Sequence, residues 1–393
     1  MSRVRSAKNL RDCDDAHSPI AGLPDHWEAS KFGYHFTESD ERNGEEPPGP
    51  LLSISEYRGV ELNTRTDGQK ASLDVSNYRV VRPNQLAANM MWLNHGGIGV
   101  SLLTGHVSPD YKVFRISKRF EPRYVHHLFR SSRYVGYFAS IATGVRPNAQ
   151  RVTKTVLDAT PVPLPSLEEQ VQIADFLDRE TGEIDAMVGK LGELTEKLEA
   201  RRSAVIRTEL ADPDFRYPRV PLQGIAQIGS GDAISADEIS DEGDFAVYGG
   251  NGIRGFTSSF NQNEDRVLVG RQGALCGNVH LVKAPFWASE HALVLRTYVS
   301  DVDLRWLAYA TRDLELGRLS TAAAQPGITA TGVGREVLPC PSPIEQKRIA
   351  DHLDVMTARI DAMLAKVAEL KALLIERRAA LITDVVTGKK ETA

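Results

Sequence analysis

A stretch near the middle of the chain recurs at its end, and this repeat limits the fold more than any other feature. Pro163-Leu-Pro-Ser-Leu-Glu-Glu-Gln170 returns as Pro339-Cys-Pro-Ser-Pro-Ile-Glu-Gln346, 176 residues later. Held without gaps from Pro163 to Leu210, the offset gives 23 identities in 48 positions, among them Ile173-Ala174-Asp175, Ile184-Asp185-Ala186-Met187 and Arg201-Arg202. A repeated unit of this kind cannot bury its apolar face alone, so the fold must let the copies satisfy one another.

Each copy reads as helix. Ser166 with Glu169, and Ser342 with Glu345, have the spacing of a capping box. A second helix start is expected at Thr181 and Thr357. Beyond it the apolar positions run Ile184, Met187/Val188, Leu191, Leu194, Leu198 and Val205, matched by Ile360, Met363/Leu364, Val367, Leu370, Leu374 and Leu381. Steps of three and four over more than three heptads mark a coiled-coil seam. Arg201 and Arg377 interrupt it at matching places and are expected to snorkel or to meet an acid across it. Pro343-Ile344, where the first copy has Leu167-Glu168, is expected to shift the second helix start by one residue.

Two such helices in one chain predict an antiparallel pair. A plain dimerisation element is the other reading of a heptad run, but here the element follows two different domains, which makes it a spacer. From Thr181 to Leu210 it would span ~45 Å at ~1.5 Å per residue, the length of ~13 base pairs at ~3.4 Å each.

The expected layout is an N-terminal extension (1–20), a first recognition domain (21–162), a first helical spacer (163–212), a second domain (213–338) and a second spacer (339–393). The fold class is α+β: two mixed α/β domains, each followed by a long helix, the helices pairing as an antiparallel coiled coil. Strand-like runs such as Leu51–Ser55, Val267–Val269 and Ala292–Leu295 alternate with Gly, Asn and Pro, and a helical stretch closes each domain, Arg123–Ala139 and Leu304–Leu316. The heads share little sequence, so they are expected to recognise different things, through loops on a common scaffold.

A net charge of −5 over 393 residues does not favour nucleic acid. The distribution does. Between Lys112 and Lys154 ten Lys/Arg face one acid, Glu121, which reads either as a phosphate footprint or as a solvated basic face. Three scattered cysteines, Cys13, Cys276 and Cys340, fit a reducing cytoplasm and argue against a disulfide framework or a cysteine zinc site. The apolar runs are too short for a membrane span, and the polar N-terminus is unlike a signal peptide.

Catalytic motifs are not visible. Gly250-Asn-Gly252-Ile-Arg-Gly255 matches a dinucleotide-loop pattern, but Phe256-Thr-Ser-Ser-Phe260 cannot start the helix that pattern needs. A loop bringing backbone amides and Arg254 to DNA is the better reading. There is no phosphate-binding loop ending in Gly-Lys-Ser/Thr, no Asn/Asp-Pro-Pro-aromatic methyltransferase motif, and no acid-x-Lys pair after Pro109-Asp110. His126-His127, His280 and His291 lack metal-ligand spacing, and no nucleophile elbow occurs.

Pro-x-Pro-Ser-x-x-Glu-Gln opening a long helix twice, with Ile-Asp-Ala-Met inside, resembles the specificity subunit of Type I restriction–modification systems. Asn251-Gly-Ile-Arg-Gly255, Val267-Leu-Val-Gly-Arg271, Gly273-x-x-Cys276-Gly277 and Trp287 are similar to that family's second domain. Leu23-Pro-x-x-Trp27, Leu52-Ser-Ile-Ser55, Gly59-Val60, Gly105-x-Val-Ser-Pro-Asp-Tyr111 and Gly144 resemble a common first domain. The resemblance implies a non-catalytic DNA-binding subunit whose heads each read half of a bipartite target. Its helices would set the gap and dock two methyltransferase (modification) subunits, and restriction/translocase subunits would join them. It implies no cofactor on this chain, with S-adenosylmethionine, ATP and Mg in the partners, no metal, no membrane and a cytoplasmic location. The candidate DNA contacts are Tyr111, Lys112, Arg146, Asn148 and Arg151 in the first head, and Asn251, Arg254, Arg271 and Gln272 in the second. The candidate partner and spacer positions are Glu169, Gln170, Ile184, Leu191, Leu194 and Leu198, with Glu345, Gln346, Ile360, Val367, Leu370 and Leu374. The alternative is a coiled-coil scaffold or adaptor without a DNA role.

Overall fold

The structure, a computed structural model, describes residues 18–55, 57–64, 74–144, 151–320 and 326–390. It divides into two compact units: the described parts of Met1–Leu191 with Glu369–Ala393, and Gly192–Ala368. The division cuts through both long helices, because each head packs on the start of its own helix and on the end of the other.

In the first unit β1 (Glu28–Lys31), β2 (Phe36–Glu38), β3 (Leu52–Ser55), β4 (Gly59–Leu62), β5 (Arg79–Val81), β6 (Gln85–Asn89), β7 (Ile98–Val100), β8 (Gly105–Val107) and β9 (Tyr111–Ile116) precede three helices. These are α1 (Pro122–Arg130), α2 (Ser132–Ile141) and α3 (Lys154–Ala159), followed by β10 (Pro161–Leu164) and the 44-residue α4 (Leu167–Leu210). Four strands form one sheet in the order β2-β9-β6-β7, and β3-β4 is a hairpin beside it. Short strands with every residue buried, such as β5 and β7, reflect a sheet covered on both faces. Beneath it Phe32, Phe36, Phe114, Phe129, Tyr134 and Phe138 pack edge-on and stacked, with centroids from 4.4 to 6.4 Å. The helix expected over Arg123–Ala139 is two, since the Ser131 hydroxyl accepts from the Tyr134 amide and caps a new start.

The second unit repeats the plan with different loops. β11 (Arg219–Pro221), α5 (Leu222–Ile225), β12 (Ala226–Ser230), β13 (Phe245–Gly249), β14 (Gly252–Thr257), β15 (Arg266–Gly270), β16 (Val279–Val282), β17 (Trp287–Ala288) and β18 (Ala292–Thr297) lead to α6 (Leu304–Asp313) and α7 (Ala330–Arg335). β19 (Val337–Pro339) and the 44-residue α8 (Pro343–Val386) complete it. Its sheet order, β12-β18-β15-β16, corresponds strand for strand to that of the first head. In each head the entering and leaving chains are clasped antiparallel just before the long helix, Glu28↔Leu164 in β1–β10 and Arg219↔Pro339 in β11–β19.

Equivalent side chains fasten each head to its helix. Arg123 donates to Asp175 (2.7 Å) and Asp178 (3.1 Å), and Arg305 donates to Asp351 and Asp354 (both 2.8 Å). Asp178 also receives His127, and Asp354 receives the Tyr309 hydroxyl, at 2.8 Å each. Gln170 and Gln346 are buried; their Oε1 atoms accept from the Glu121 and Asp303 amides at the starts of α1 and α6. Glu169 and Glu345 anchor inward too, accepting from Trp27 Nε1 and the Tyr217 hydroxyl, both at 3.2 Å.

The long helices run antiparallel against each other within each unit. In the first, Ile173, Ala174 and Leu177 join Ile382, Val385 and Val386 in one core, and Arg378 meets Asp185 at 2.9 Å. In the second, Arg202 meets Asp361 at 3.0 Å and Arg348 meets Glu209 at 3.2 Å. Asp185 and Asp361, like Arg202 and Arg378, are equivalent under the 176-residue repeat, so one ion pair occurs twice.

Several expectations are corrected. No second helix starts at Thr181 or Thr357. Both are buried, and their hydroxyls donate to the carbonyls four residues back, Leu177 and Leu353, inside an unbroken helix. α8 begins at Pro343, the repeat equivalent of Leu167, so no shift occurs, and proline takes the first helical position without loss of a hydrogen bond. The arginines that meet acids are Arg202 and Arg378, one residue beyond the exposed Arg201 and Arg377. Leu194 and Leu370, read as seam positions, are 42% and 47% exposed, as are Met187 and Met363 at 51% each. The seam keeps the expected Ile184, Leu191 and Leu198 with Ile360, Val367 and Leu374, and takes Thr195 and Lys371 in place of Leu194 and Leu370, and Ile206 and Ile382 in place of Val205 and Leu381. At those places a shift of one residue, about 100° around a 3.6-residue turn, separates the two readings.

Candidate nucleic-acid interface

The glycine-rich motif of the second head folds as a β-hairpin and not as a helix N-terminus. Gly249 pairs with Gly252 across the two-residue turn Gly250-Asn251, and Gly252 (φ 91°) sits where a side chain would be strained. The turn rests against the end of β15: a Cβ on Gly270 would lie 1.9 Å from the Gly250 carbonyl oxygen, and one on Gly250 would lie 2.6 Å from that of Gln272. Only glycine permits this approach, and it brings Asn251 beside the 270–278 loop. The Asn278 amide there donates to Asn251 Oδ1 at 2.8 Å.

Arg271, half-buried, donates to the Ser230 hydroxyl (2.9 Å) and the Glu290 carbonyl (3.4 Å). Gln272 Oε1 lies 2.8 Å from His291 Nδ1. Arg254 is exposed on β14, its stem lying over Gly249, where a Cβ would meet Arg254 Cδ at 2.4 Å. Asn251, Arg271 and Gln272 thus gather at one end of the sheet with Asn278 and His291, which the sequence reading missed. Asn278 directly follows the quoted Gly273-x-x-Cys276-Gly277 motif, a signal that could have found it. The array presents amide and guanidinium edges of the kind that pair with bases.

In the first head Tyr111 opens β9 opposite Asn89 of β6, and the Val152 amide donates to the Met90 carbonyl, which sets the exposed Arg151 at the same sheet end. Arg151 and Thr143 exchange backbone hydrogen bonds at 3.0 Å. Arg146 and Asn148 lie outside the described residues. Exposed Met91 and Trp92 (42% and 52%) lie on the loop after β6, with the Trp92 ring 4.9 Å from that of His95. They are further surface candidates that charge counting cannot reveal.

The basic segment 112–154 is largely occupied within the fold. Lys112 pairs with Glu38 at 2.6 Å, Arg119 with Glu28 at 2.8 Å and Lys154 with Asp158 at 2.6 Å. Arg123 holds Asp175 and Asp178, Arg130 donates to the carbonyls of Ser55, Gly96 and Ile98, and Arg133 to those of Ser18 and Ala21. The reading as a free phosphate surface is therefore corrected. Acids from β1, β2, α3 and α4 reach a stretch that holds one acid of its own. Burial alone would raise the Glu38 carboxyl, but hydrogen bonding and charge from Lys112, with Arg79 beside it, hold it below the usual range.

The same balance acts at the helix start. Burial would raise Glu169, yet hydrogen bonds from His26, Ser166 and Trp27 hold it down at about 2. Its carboxylate accepts from the Ser166 amide at 2.9 Å while the Ser166 hydroxyl accepts from the Glu169 amide at 3.2 Å, which completes the capping box. His126 is half-buried, and the loss of solvent around its imidazole pushes it well below the ordinary range, with His127 and Arg130 adding to it; Nδ1 accepts from the Val100 amide. Among the described residues no group of three His, Cys, Asp or Glu is arranged to hold a metal, and no helix is long and apolar enough to cross a membrane.

Two divergent heads, each bolted by the same side chains to one of two repeated, antiparallel helices, define a two-headed recognition scaffold. The family described as Type I restriction modification DNA specificity domain matches residues 136–196 and 217–372, and the chain belongs to it. It is 34% identical over 140 residues to the Type I restriction enzyme EcoprrI specificity subunit of Escherichia coli, which is 35% of each chain. It is 30% identical over 92 residues to the StySPI specificity subunit of Salmonella potsdam, 23% of this chain and 19% of that one. The matches thus span about a third or less of those relatives. The fold is similar to that of a chain solved in work on complex assembly and conformational transition of the type I R-M system, with a TM-score of 0.71 at 18% identity over 93% of this chain and 99% of that one. It is also similar to the HsdS subunit from Thermoanaerobacter tengcongensis, with a TM-score of 0.50 at 19% identity, over 95% and 100%.

Proposed function

We propose that this chain is the non-catalytic specificity subunit of a Type I restriction–modification complex. Each head reads one half of a bipartite duplex target, and the antiparallel helices hold the halves at a fixed gap. The observation that carries this reading is the contrast between attachment and surface. The head-to-helix contacts repeat at the arginine, aspartate and glutamine positions, while the candidate loops at the sheet ends carry different residues, Asn251, Arg271 and Gln272 in one head and Tyr111 and Arg151 in the other. That is what two separately selected readers on one frame require. A coiled-coil adaptor has no use for such loops, and the family membership does not favour it.

The second head reads bases through Asn251, Arg254, Arg271 and Gln272, with Asn278 and His291 orienting them. The first reads through the sheet end that carries Tyr111 and Arg151, and Arg146 and Asn148 precede Arg151 in the chain as further candidate contacts. Lys112, tied to Glu38, positions β9. The helices dock two modification subunits through exposed apolar positions that occur in equivalent pairs, Met187 with Met363 and Leu194 with Leu370. S-adenosylmethionine is held by those subunits, and ATP and Mg by restriction/translocase subunits that join them; base extrusion and methyl transfer are the partners' work. Such a complex acts on DNA in the cytoplasm.

The test is single-molecule sequencing of adenine methylation in a host expressing this chain with its neighbouring methyltransferase, with and without this gene. Methylation at one split motif only when the gene is present is the expected result. Methylation independent of the gene overturns the assignment.

A further inference from the structure

The two heads differ at a place where the repeat would make them alike. Seven residues after the helix-docking arginines Arg123 and Arg305 come Arg130 and Arg312, at the ends of α1 and α6. Each donates to the first residue of the fourth strand of its sheet, Arg130 to the Ile98 carbonyl at 3.1 Å and Arg312 to that of Val279 at 3.0 Å. Arg130 also donates to the carbonyls of Ser55 and Gly96, both at 3.2 Å. Ser55 belongs to the β3–β4 hairpin, whose tip reaches the helix pair. There the Tyr57 hydroxyl donates to Asp185 at 2.5 Å, and Arg378 stacks over the Tyr57 ring at 4.7 Å.

The second head has a hairpin at the same point of its chain order, β13–β14, but its turn is only Gly250-Asn251 and bends towards Asn278. Among the described residues Arg312 has the Val279 carbonyl as its hydrogen-bond acceptor, for a guanidinium with five N–H groups. A cleft of about 580 Å³ lies beside it, lined by Cys276–His280, Arg312 and Glu315–Arg318. His280 Nε2 is buried there without a partner. The ion pair equivalent to the one under Tyr57 is more open as well: Arg202 and Asp361 are 29% and 52% exposed, against 16% and 38% for Arg378 and Asp185.

We infer that this cleft receives a turn of a modification subunit, which supplies from outside the backbone carbonyls and the aromatic tip that Ser55 and Tyr57 supply in the first head. The inference rests on the proposed function for the identity of the partner. A protein turn fits better than a phosphodiester, because Arg318 is already paired with Glu336 and the rim carries Glu315, paired with Arg207 at 2.9 Å. With both rim charges neutralised by partners, the rim offers a phosphate little net attraction. Arg312, which among the described residues donates to the Val279 carbonyl, is completed by backbone carbonyls of the kind a turn presents. The consequence is functional asymmetry: two modification subunits would meet this chain through different contacts, one over a closed surface and one with a turn inserted.

The experiment replaces the exposed rim residue Arg318 with a photo-cross-linking phenylalanine in the full chain. The variant is co-expressed with the neighbouring methyltransferase, and the purified complex is irradiated with and without duplex carrying its methylation motif. The expected product joins this chain to one turn of the modification subunit, whether or not DNA is present. Arg312→Gln should weaken partner binding roughly tenfold or more, as loss of a charged hydrogen-bond donor does, with the methylated motif unchanged. A cross-link to DNA overturns the inference in favour of a phosphodiester. A complex that assembles and methylates but yields no cross-link overturns it while leaving the proposed function standing. Failure of any complex to form overturns both.

Discussion

Replacing Gln170 with alanine removes a side chain that closes three backbone groups at the joint between the first head and its helix. Its Oε1 accepts from the Glu121 amide at 2.9 Å, and its Nε2 donates to the carbonyls of Arg119 and Pro165, both at 3.0 Å, with the side chain fully buried. Each buried backbone group left without a partner costs about 1–3 kcal/mol. The three are neighbours and will not add fully, so a loss of about 3–5 kcal/mol is expected. Gln346 closes two backbone groups, the Asp303 amide at 3.1 Å and the Pro341 carbonyl at 2.9 Å, and its replacement should cost about 2–4 kcal/mol. At roughly 2–4 °C per kcal/mol for a unit near 200 residues, Gln170→Ala should lower one melting transition by roughly 6–20 °C and Gln346→Ala by roughly 4–16 °C. Hydrogen exchange resolves the units: Gln170→Ala should release α1 and the start of α4, and Gln346→Ala should release α6 and the start of α8. A loss below about 1 kcal/mol in either variant, or equal deprotection of both units, would refute the reasoning, since it requires a buried and local joint.

Removing the repeat-equivalent heptads 191–197 and 367–373 together shortens each helix by ~10.5 Å, so the gap of the methylated motif should fall by about three base pairs with both half-sites intact. A changed half-site with the old gap argues against a spacer. Tyr57→Phe bears on alkaline stability: burial and then the hydrogen bond to Asp185 push the Tyr57 phenol up to about 12. The folded state therefore favours the neutral phenol. That contribution is complete below pH ~10 and is lost as pH rises through about 12. Denaturation followed between pH 9 and 12 should show a shallower decline for Tyr57→Phe than for the native chain; parallel curves would contradict this. Arg151→Ala, at an exposed site, should reduce the salt dependence of DNA binding by about one charge, whereas Lys112→Ala, which leaves Glu38 facing Arg79, should change stability more than the salt slope. The reverse order would reinstate the basic segment as a phosphate surface.

The amino-acid sequence by itself determined the elements whose causes are local. Capping residues at Ser166 and Ser342, the apolar period beyond them and the recurrence of both after 176 residues were enough to predict two long helices paired antiparallel, because these signals act within one or two turns of the chain. The glycines around Asn251 marked the second head's candidate loop for the same reason. Only the tertiary structure decided which charges remain available. Glu38, Asp175 and Asp178 lie far from Lys112 and Arg123 in sequence, yet they neutralise them, and a local count of Lys and Arg cannot register that. It also decided that Arg202 and Arg378 meet the acids and that Leu194 and Leu370 face outward, since the rotation of a helix about its axis is set by what packs against it. The 3.5-residue period leaves that rotation open by about one residue. The cleft beside Arg312 was beyond the sequence for the same reason: two hairpins at matching places differ by a residue in their turns, and what each turn covers depends on where its tip comes to rest.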